Sequence, residues 1–190
     1  MKEKTKERLN TISGVLYFIA FVPYIIAILS RETIPSPVSW AIWASVDTLA
    51  LFAMKKEDAT RGQLTGAVCG AWFVTVLAII FGKPTMGSIE WVSIVGALLG
   101  IILWKKTRNA VAAIICSQIA VFVGAIPTFI HAYQNPAQEN ALAWIIWTIS
   151  CFCALFAIKK WNIANALQPI TFTVIEVIMV ILVVLFPYIF

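Results

Sequence analysis

PYIIAILSRETIPSPVSWAIWASVDTLALFAMKK, residues Pro23 to Lys56, returns later in the chain as PTFIHAYQNPAQENALAWIIWTISCFCALFAIKK, residues Pro127 to Lys160. The offset is 104, no gap is needed, and eleven of the 34 positions are identical. The identities include Pro23/Pro127, Trp40/Trp144, Trp43/Trp147, the run Ala-Leu-Phe-Ala at 50–53 and 154–157, and the closing Lys-Lys. Apolar composition alone rarely aligns two tryptophans and a proline together, so the stretch reads as part of an internal repeat. With one residue inserted, the segments that follow also align, setting Gln63 against Gln168, Phe81 against Phe186 and Gly82 against Pro187.

The surroundings of this repeat are those of a membrane protein. Of 190 residues, 61% are hydrophobic and 12% charged, against roughly a quarter charged in a soluble domain, and the mean hydropathy is +0.91. The apolar residues fall into blocks of about 20, the length that crosses a hydrocarbon core of ~30 Å. Charged residues delimit seven such blocks, at about 11 to 30, 36 to 54, 62 to 82, 88 to 104, 110 to 133, 141 to 158 and 164 to 187. The fourth is the shortest, with 14 residues between Glu90 and Lys105, and Trp91 and Trp104 mark its ends as interfacial residues. The N-terminal MKEKTKER resembles the basic start of a signal peptide, but no small-x-small cleavage site follows, so the first block reads as a retained span.

The distribution of basic residues tests the count, because Lys and Arg concentrate on the cytoplasmic side. Lys2, Lys4, Lys6 and Arg8, then Lys55, Lys56 and Arg61, then Lys105, Lys106 and Arg108, then Lys159 and Lys160 hold 12 of the 14, leaving Arg31 and Lys83 for the other face. The alternation predicts a cytoplasmic N-terminus and an external C-terminus, and it needs all seven spans. An all-α membrane protein therefore follows, as a single membrane domain with a three-helix bundle at 11–82, a linking helix at 88–104 and a second bundle at 110–187. Each unit has an odd number of spans, so the two copies share an orientation only because the linker intervenes, a 3+1+3 parallel repeat.

A proline in the first helix, a short polar loop, a Ser-Trp start to the second helix (Ser39, Trp40) and the 3+1+3 plan together resemble the PQ-loop superfamily. That group includes the SWEET sugar facilitators, the lysosomal PQ-loop amino-acid transporters, the KDEL receptors and the more distant PnuC vitamin transporters. The namesake glutamine is absent from both halves, since Tyr24 follows Pro23 and Thr128 follows Pro127. The resemblance implies a divergent, bacterial-type transporter in which Pro23 and Pro127 act as hinges. A static kink is the alternative for both prolines.

On the second segment Trp40, Trp43, Asp47, Leu51 and Met54 follow helical spacing and share one face, repeated by Trp144, Trp147, Cys151 and Leu155. The four tryptophans are candidates to line a central cavity, with a belt-anchor role as the alternative for the outer pair, Trp40 and Trp144. Asp47 lies mid-segment, where a charge costs roughly 2.5–3.5 kcal/mol, and an ionisable group at that depth is by default a candidate functional group, with a protonated carboxyl bonded to a neighbouring Ser or backbone carbonyl as the alternative. Its repeat partner Cys151 has no charge to match it. Glu176 is the second carboxylate within a span. Gln118, beside Ser117, is a further candidate, with an interhelical hydrogen bond as its alternative. His131 near an interface is expected to be solvated. Gly14, Gly66-x-x-x-Gly70 and Gly96-x-x-x-Gly100 predict close helix approach.

These features weigh against several functions. One histidine, no metal-ligand spacing and no Ser/His pair disfavour an enzyme, and no metal or cofactor is expected. The four cysteines fall in apolar blocks and read as small buried hydrophobes, with no disulfide framework. A net charge of +5 is explained by the span ends, so nucleic acid is not an expected partner. A retinal protein would need a lysine inside the last span, which has none. The expectation is a multi-pass inner (plasma) membrane transporter of a polar metabolite such as a sugar, nucleoside, vitamin or amino acid. A receptor or sensor on the same bundle is the alternative. The expected partners are the lipid bilayer, a small-molecule substrate and, compatibly with the sequence, further copies of the chain.

Overall fold

The computed structural model describes residues 1–35, 37–82 and 109–188, with isolated positions between 87 and 106. Among these residues the chain is all-helical. The helices are α1 (Glu3–Leu29), α2 (Pro37–Lys56), α3 (Gly62–Phe81), α4 (Ala110–Gln134), α5 (Ala141–Ala157) and α6 (Ile163–Val180). A π-helical turn, Ile181–Leu185, prolongs α6. The fourth predicted segment, 88–104, lies largely outside the described residues, as do Glu90, Gly96, Gly100 and Trp104.

Helices α1, α3, α4 and the stretch Ile163–Leu185 are long and apolar enough to cross a membrane, and α5 is a shorter apolar helix. The radial distribution of side chains agrees. Helix α3 turns Trp72, Phe73, Val76, Ile79 and Ile80 outward, while Gln63, Gly66, Ala67, Gly70, Ala71 and Thr75 face inward. Asp47, Gln118, Asn165, Gln168 and Glu176 are likewise buried. Greasy outside and polar inside is the inverse of a water-soluble bundle and the arrangement that lipid favours.

Helix ends follow from local chemistry. The three helices of the second half each start on an asparagine whose side chain accepts from the first turn: Asn109 from the Val111 amide at 3.0 Å, Asn140 from Ala143 at 3.0 Å and Asn162 from Asn165 at 3.0 Å. Helix α3 has no such cap of its own. Its Gly62 amide instead donates to Asn10 Oδ1 of α1 at 2.6 Å. Helix α1 starts at Glu3, about two turns before the apolar block predicted from residue 11, because Lys, Glu and Arg favour the helix. That extension is held against the α5–α6 connection, where Lys6 Nζ donates to the Ile158 carbonyl at 2.7 Å and Lys159 meets Glu3 and Glu7 at 3.0 Å each. Lys159 holds the Glu3 carboxyl below its usual range, although both groups are solvated.

The packing has a recognisable order. Helix α3 lies against both α1 and α2, and α6 lies against both α4 and α5. Between the two triplets, α1 packs on α5 and α2 packs on α4. The α1–α3 contact is backbone on backbone: a Cβ on Gly66 would collide with the Gly14 carbonyl, and one on Gly14 with the Gly62 carbonyl. Small residues of this kind let helices approach where no hydrophobic force draws them together.

Candidate functional site

Between the two triplets lies a cavity to which all six helices contribute. Helix α1 supplies Tyr17 and Phe21, α2 supplies Trp40, Trp43 and Asp47, and α3 supplies Ala67 and Ala71. From the other triplet come Val121 and Ala125 of α4, Trp144 and Trp147 of α5, and Phe172, Ile175 and Glu176 of α6. The space open to the centres of water molecules is about 60 Å³.

The lining positions are paired along the sequence. Tyr17 and Val121, Phe21 and Ala125, Trp40 and Trp144, and Trp43 and Trp147 are each 104 residues apart. Ala67 and Phe172, and Ala71 and Glu176, are each 105 apart, the offset at which the third segments align. Within these pairs bulk is exchanged: the large residue is on α1 and the small one on α4, whereas the small residue is on α3 and the large one on α6.

The walls are aromatic and mutually supporting. Trp40 and Trp43 meet edge to face at 5.4 Å between ring centroids, Trp144 and Trp147 at 5.0 Å, and Phe21 and Trp147 at 5.0 Å. Two of the four indole N–H groups are occupied outside the cavity. Trp147 donates to the Tyr17 carbonyl at 3.0 Å and Trp144 to Glu139 Oε2 at 3.1 Å. The Tyr17 hydroxyl donates to Glu176 Oε1 at 2.7 Å. Two acceptors have no hydrogen-bond partner among the described residues, Asp47 Oδ1 and Glu176 Oε2. Both side chains are nearly inaccessible, with Asp47 at 5% and Glu176 at 3% exposure.

Six of the eight binding residues named from the sequence line this cavity: Trp40, Trp43, Asp47, Trp144, Trp147 and Glu176. Trp40 and Trp144 are buried at 9% and 7% exposure, facing the interior. Cys151 is not in the lining. It is buried, and its sulfur accepts from Gln63 Nε2 at 2.9 Å. Gln118 is not in the lining either, and neither polar atom of its buried side chain has a partner among the described residues. Pro23 is not in the lining. It lies within α1, its carbonyl accepting from Asn140 Nδ2 at 3.3 Å, and α4 continues through position 127.

Several residues in and around the site were not singled out by the sequence. Tyr17, Phe21 and Tyr24 share one face of α1 by their spacing of four and three. Glu139 precedes α5 and links Trp144 to His131, whose Nδ1 lies 3.2 Å from Glu139 Oε1. Burial pushes the Glu139 carboxyl up from its usual range, and its hydrogen bonds to Trp144 and His131 oppose that rise. Gln63, known only as an aligned residue, joins Gln168 and Cys151 in a buried polar contact, with Gln168 Nε2 donating to Gln63 Oε1 at 3.0 Å. Among the described residues no group of His, Cys, Asp and Glu is arranged to hold a metal ion.

Neither protein-family models, curated proteins nor solved structures match this chain. Its functional reading therefore rests on the helices and the cavity themselves.

Proposed function

We propose that this chain is a small-molecule membrane transporter built as a 3+1+3 parallel repeat of PQ-loop type, with its N-terminus on the cytoplasmic side. The observation that carries the reading is the position of the cavity. It lies between two helix triplets, and six pairs of its lining residues stand at the repeat offsets. A site on the pseudo-two-fold axis between two bundles is one that rocking of the bundles exposes to each side in turn. The matching order of packing in the two triplets supports the repeat: α3 touches α1 and α2 as α6 touches α4 and α5, and α1 on α5 mirrors α4 on α2.

The ligand is a small polar metabolite, because a buried pair of carboxylates bearing unpartnered oxygens is costly in an apolar protein unless something polar visits it. The residues bet on for contact are Trp43, Trp147, Asp47 and Glu176, with Trp40 and Trp144 behind them. Pro23 and Pro127 serve as hinges. Flux is driven by the solute's own gradient or by a coupled ion.

Reconstitution of the full chain in proteoliposomes tests this. Accumulation of a labelled metabolite, lost or strongly reduced in Asp47→Asn, is the expected result. Saturable binding without flux in either direction overturns it in favour of a receptor.

A further inference from the structure

We infer that the ligand is a small organic ammonium ion, a protonated primary amine. The inference deepens the transporter reading and rests on the same cavity being its binding site. What decides the class is the charge of the lining, together with two carboxyl oxygens that lack partners. The Tyr17 hydroxyl and the indole N–H groups of Trp144 and Trp147 already have acceptors. Asp47 Oδ1 and Glu176 Oε2 are buried without a hydrogen-bond partner among the described residues, and both residues line the cavity. Such oxygens ask a ligand for N–H or O–H donors.

Charge narrows the choice. Two carboxylates line the cavity and, among the described residues, no Lys, Arg or His does. An anion or a zwitterion would bring a third carboxylate into a space that has no cation to receive it. The remaining wall is largely indole and phenyl rings, whose negative faces attract a cation. Because their N–H groups point to other acceptors, Trp144 and Trp147 present ring surface more than hydrogen-bonding edge. A bare metal ion would find too few oxygens. A primary ammonium has three N–H donors for the two orphan oxygens and a short alkyl chain for the aromatic wall. A quaternary ammonium would satisfy the rings and not the oxygens.

The test is a titration of the purified full-length chain in detergent micelles, read by intrinsic tryptophan fluorescence at fixed ionic strength. Propylammonium is the probe, with 1-propanol, propionate, glucose, tetramethylammonium and sodium as comparators. Propylammonium is expected to saturate the signal with a Kd at least tenfold below that of any comparator. Asp47→Asn and Glu176→Gln are each expected to weaken it at least tenfold, with Asp47→Glu recovering part of the loss. Circular dichroism melts identify any variant that fails to fold, and the comparators on the unaltered chain then decide alone. Equal or tighter binding of propanol, glucose or sodium overturns the assignment, as does unchanged propylammonium binding in the folded carboxylate variants. Proteoliposome flux separates this from the parent reading. Propylammonium that binds and does not move leaves the ligand class standing and removes the transporter. Flux of a neutral solute with no amine binding does the reverse.

Discussion

The side-chain amide of Gln168 donates to that of Gln63 at 3.0 Å, so two positions that the 105-residue offset makes equivalent touch one another. A residue that meets its own counterpart stands on the axis relating the two. Thr60 and Asn165 repeat the pattern, with the Thr60 amide donating to Asn165 Oδ1 at 2.9 Å, again 105 residues apart. The proposed pseudo-two-fold axis thus has direct contacts along it, at the starts of α3 and α6.

Breaking that contact on one side leaves a buried amide without its partner. Gln168→Ala is expected to lower unfolding stability in detergent by about 0.6–2 kcal/mol. Gln63→Ala is expected to cost more than Gln168→Ala, because it also strips the Cys151 sulfur of its donor. The double variant should fall short of the sum, and a double-mutant cycle on chemical unfolding reads the difference. Strict additivity would mean that the two amides do not interact.

Gly66→Ala adds one methyl group where the Gly14 carbonyl already stands. Neither backbone can rotate away, so α1 and α3 must separate, at a cost of about 1–3 kcal/mol. Cys69→Ala on the exposed face of the same helix is expected to stay within about 0.5 kcal/mol of the parent chain. Thermal melts of the two variants side by side provide the check.

Glu139 gives a pH-dependent signature. Its folded pKa is raised by burial, so the fold favours the protonated form and that contribution to stability is complete below the unfolded value. It is lost as pH rises through the folded value. The stability of the parent chain relative to Glu139→Gln should therefore decline from about pH 4 upward and level off once the carboxyl is ionised in the fold. Melting curves of both proteins between pH 4 and pH 7 measure it, and a rise with pH would contradict the assigned burial effect.

Pro23→Ala separates a hinge from a static kink. The substitution returns the backbone N–H that proline lacks, and it is expected to leave folding stability unchanged or raise it by about 1 kcal/mol. As a hinge, the position should show flux several-fold lower with ligand affinity preserved. Equal flux in proteoliposomes would assign Pro23 to packing alone.

The sequence made helix limits easy to read, because Asn, Lys and Arg interrupt long apolar runs, and α2 to α6 begin and end within about two residues of the predicted blocks, with the π-helical turn completing α6. It also disclosed the α2 face, since Trp40, Trp43 and Asp47 are unusual residues whose spacing stands out from their neighbours. Tyr17 and Phe21 escaped notice for the opposite reason. On α1 the lipid-facing side is as apolar as the cavity side, with Phe18, Ile19 and Val22 exposed, so no hydrophobic period identifies the inner face. Cys151 shares its helical face with Trp147, but the Gln63 side chain meets it from α3, a contact between residues 88 apart that no local pattern encodes. Gln118 was chosen for its polarity alone, and polarity does not say which inward direction a side chain takes. Glu139 looked like an ordinary loop carboxylate until the backbone folded it against Trp144.

The exchange of bulk across the cavity bears on ancestry. Two identical halves would have formed a symmetric chamber that admits a ligand equally in either of two opposed orientations. In a chain descended from such a pair, Tyr17 and Phe21 have kept or gained size where Val121 and Ala125 have not, and Phe172 and Glu176 have done so where Ala67 and Ala71 have not. Neither half could now be copied to replace the other: two first halves would crowd aromatic rings together and dispense with Glu176, while two second halves would lose Asp47. On the proposed repeat, these exchanges leave a chamber whose two sides differ, so that a guest would be held one way round.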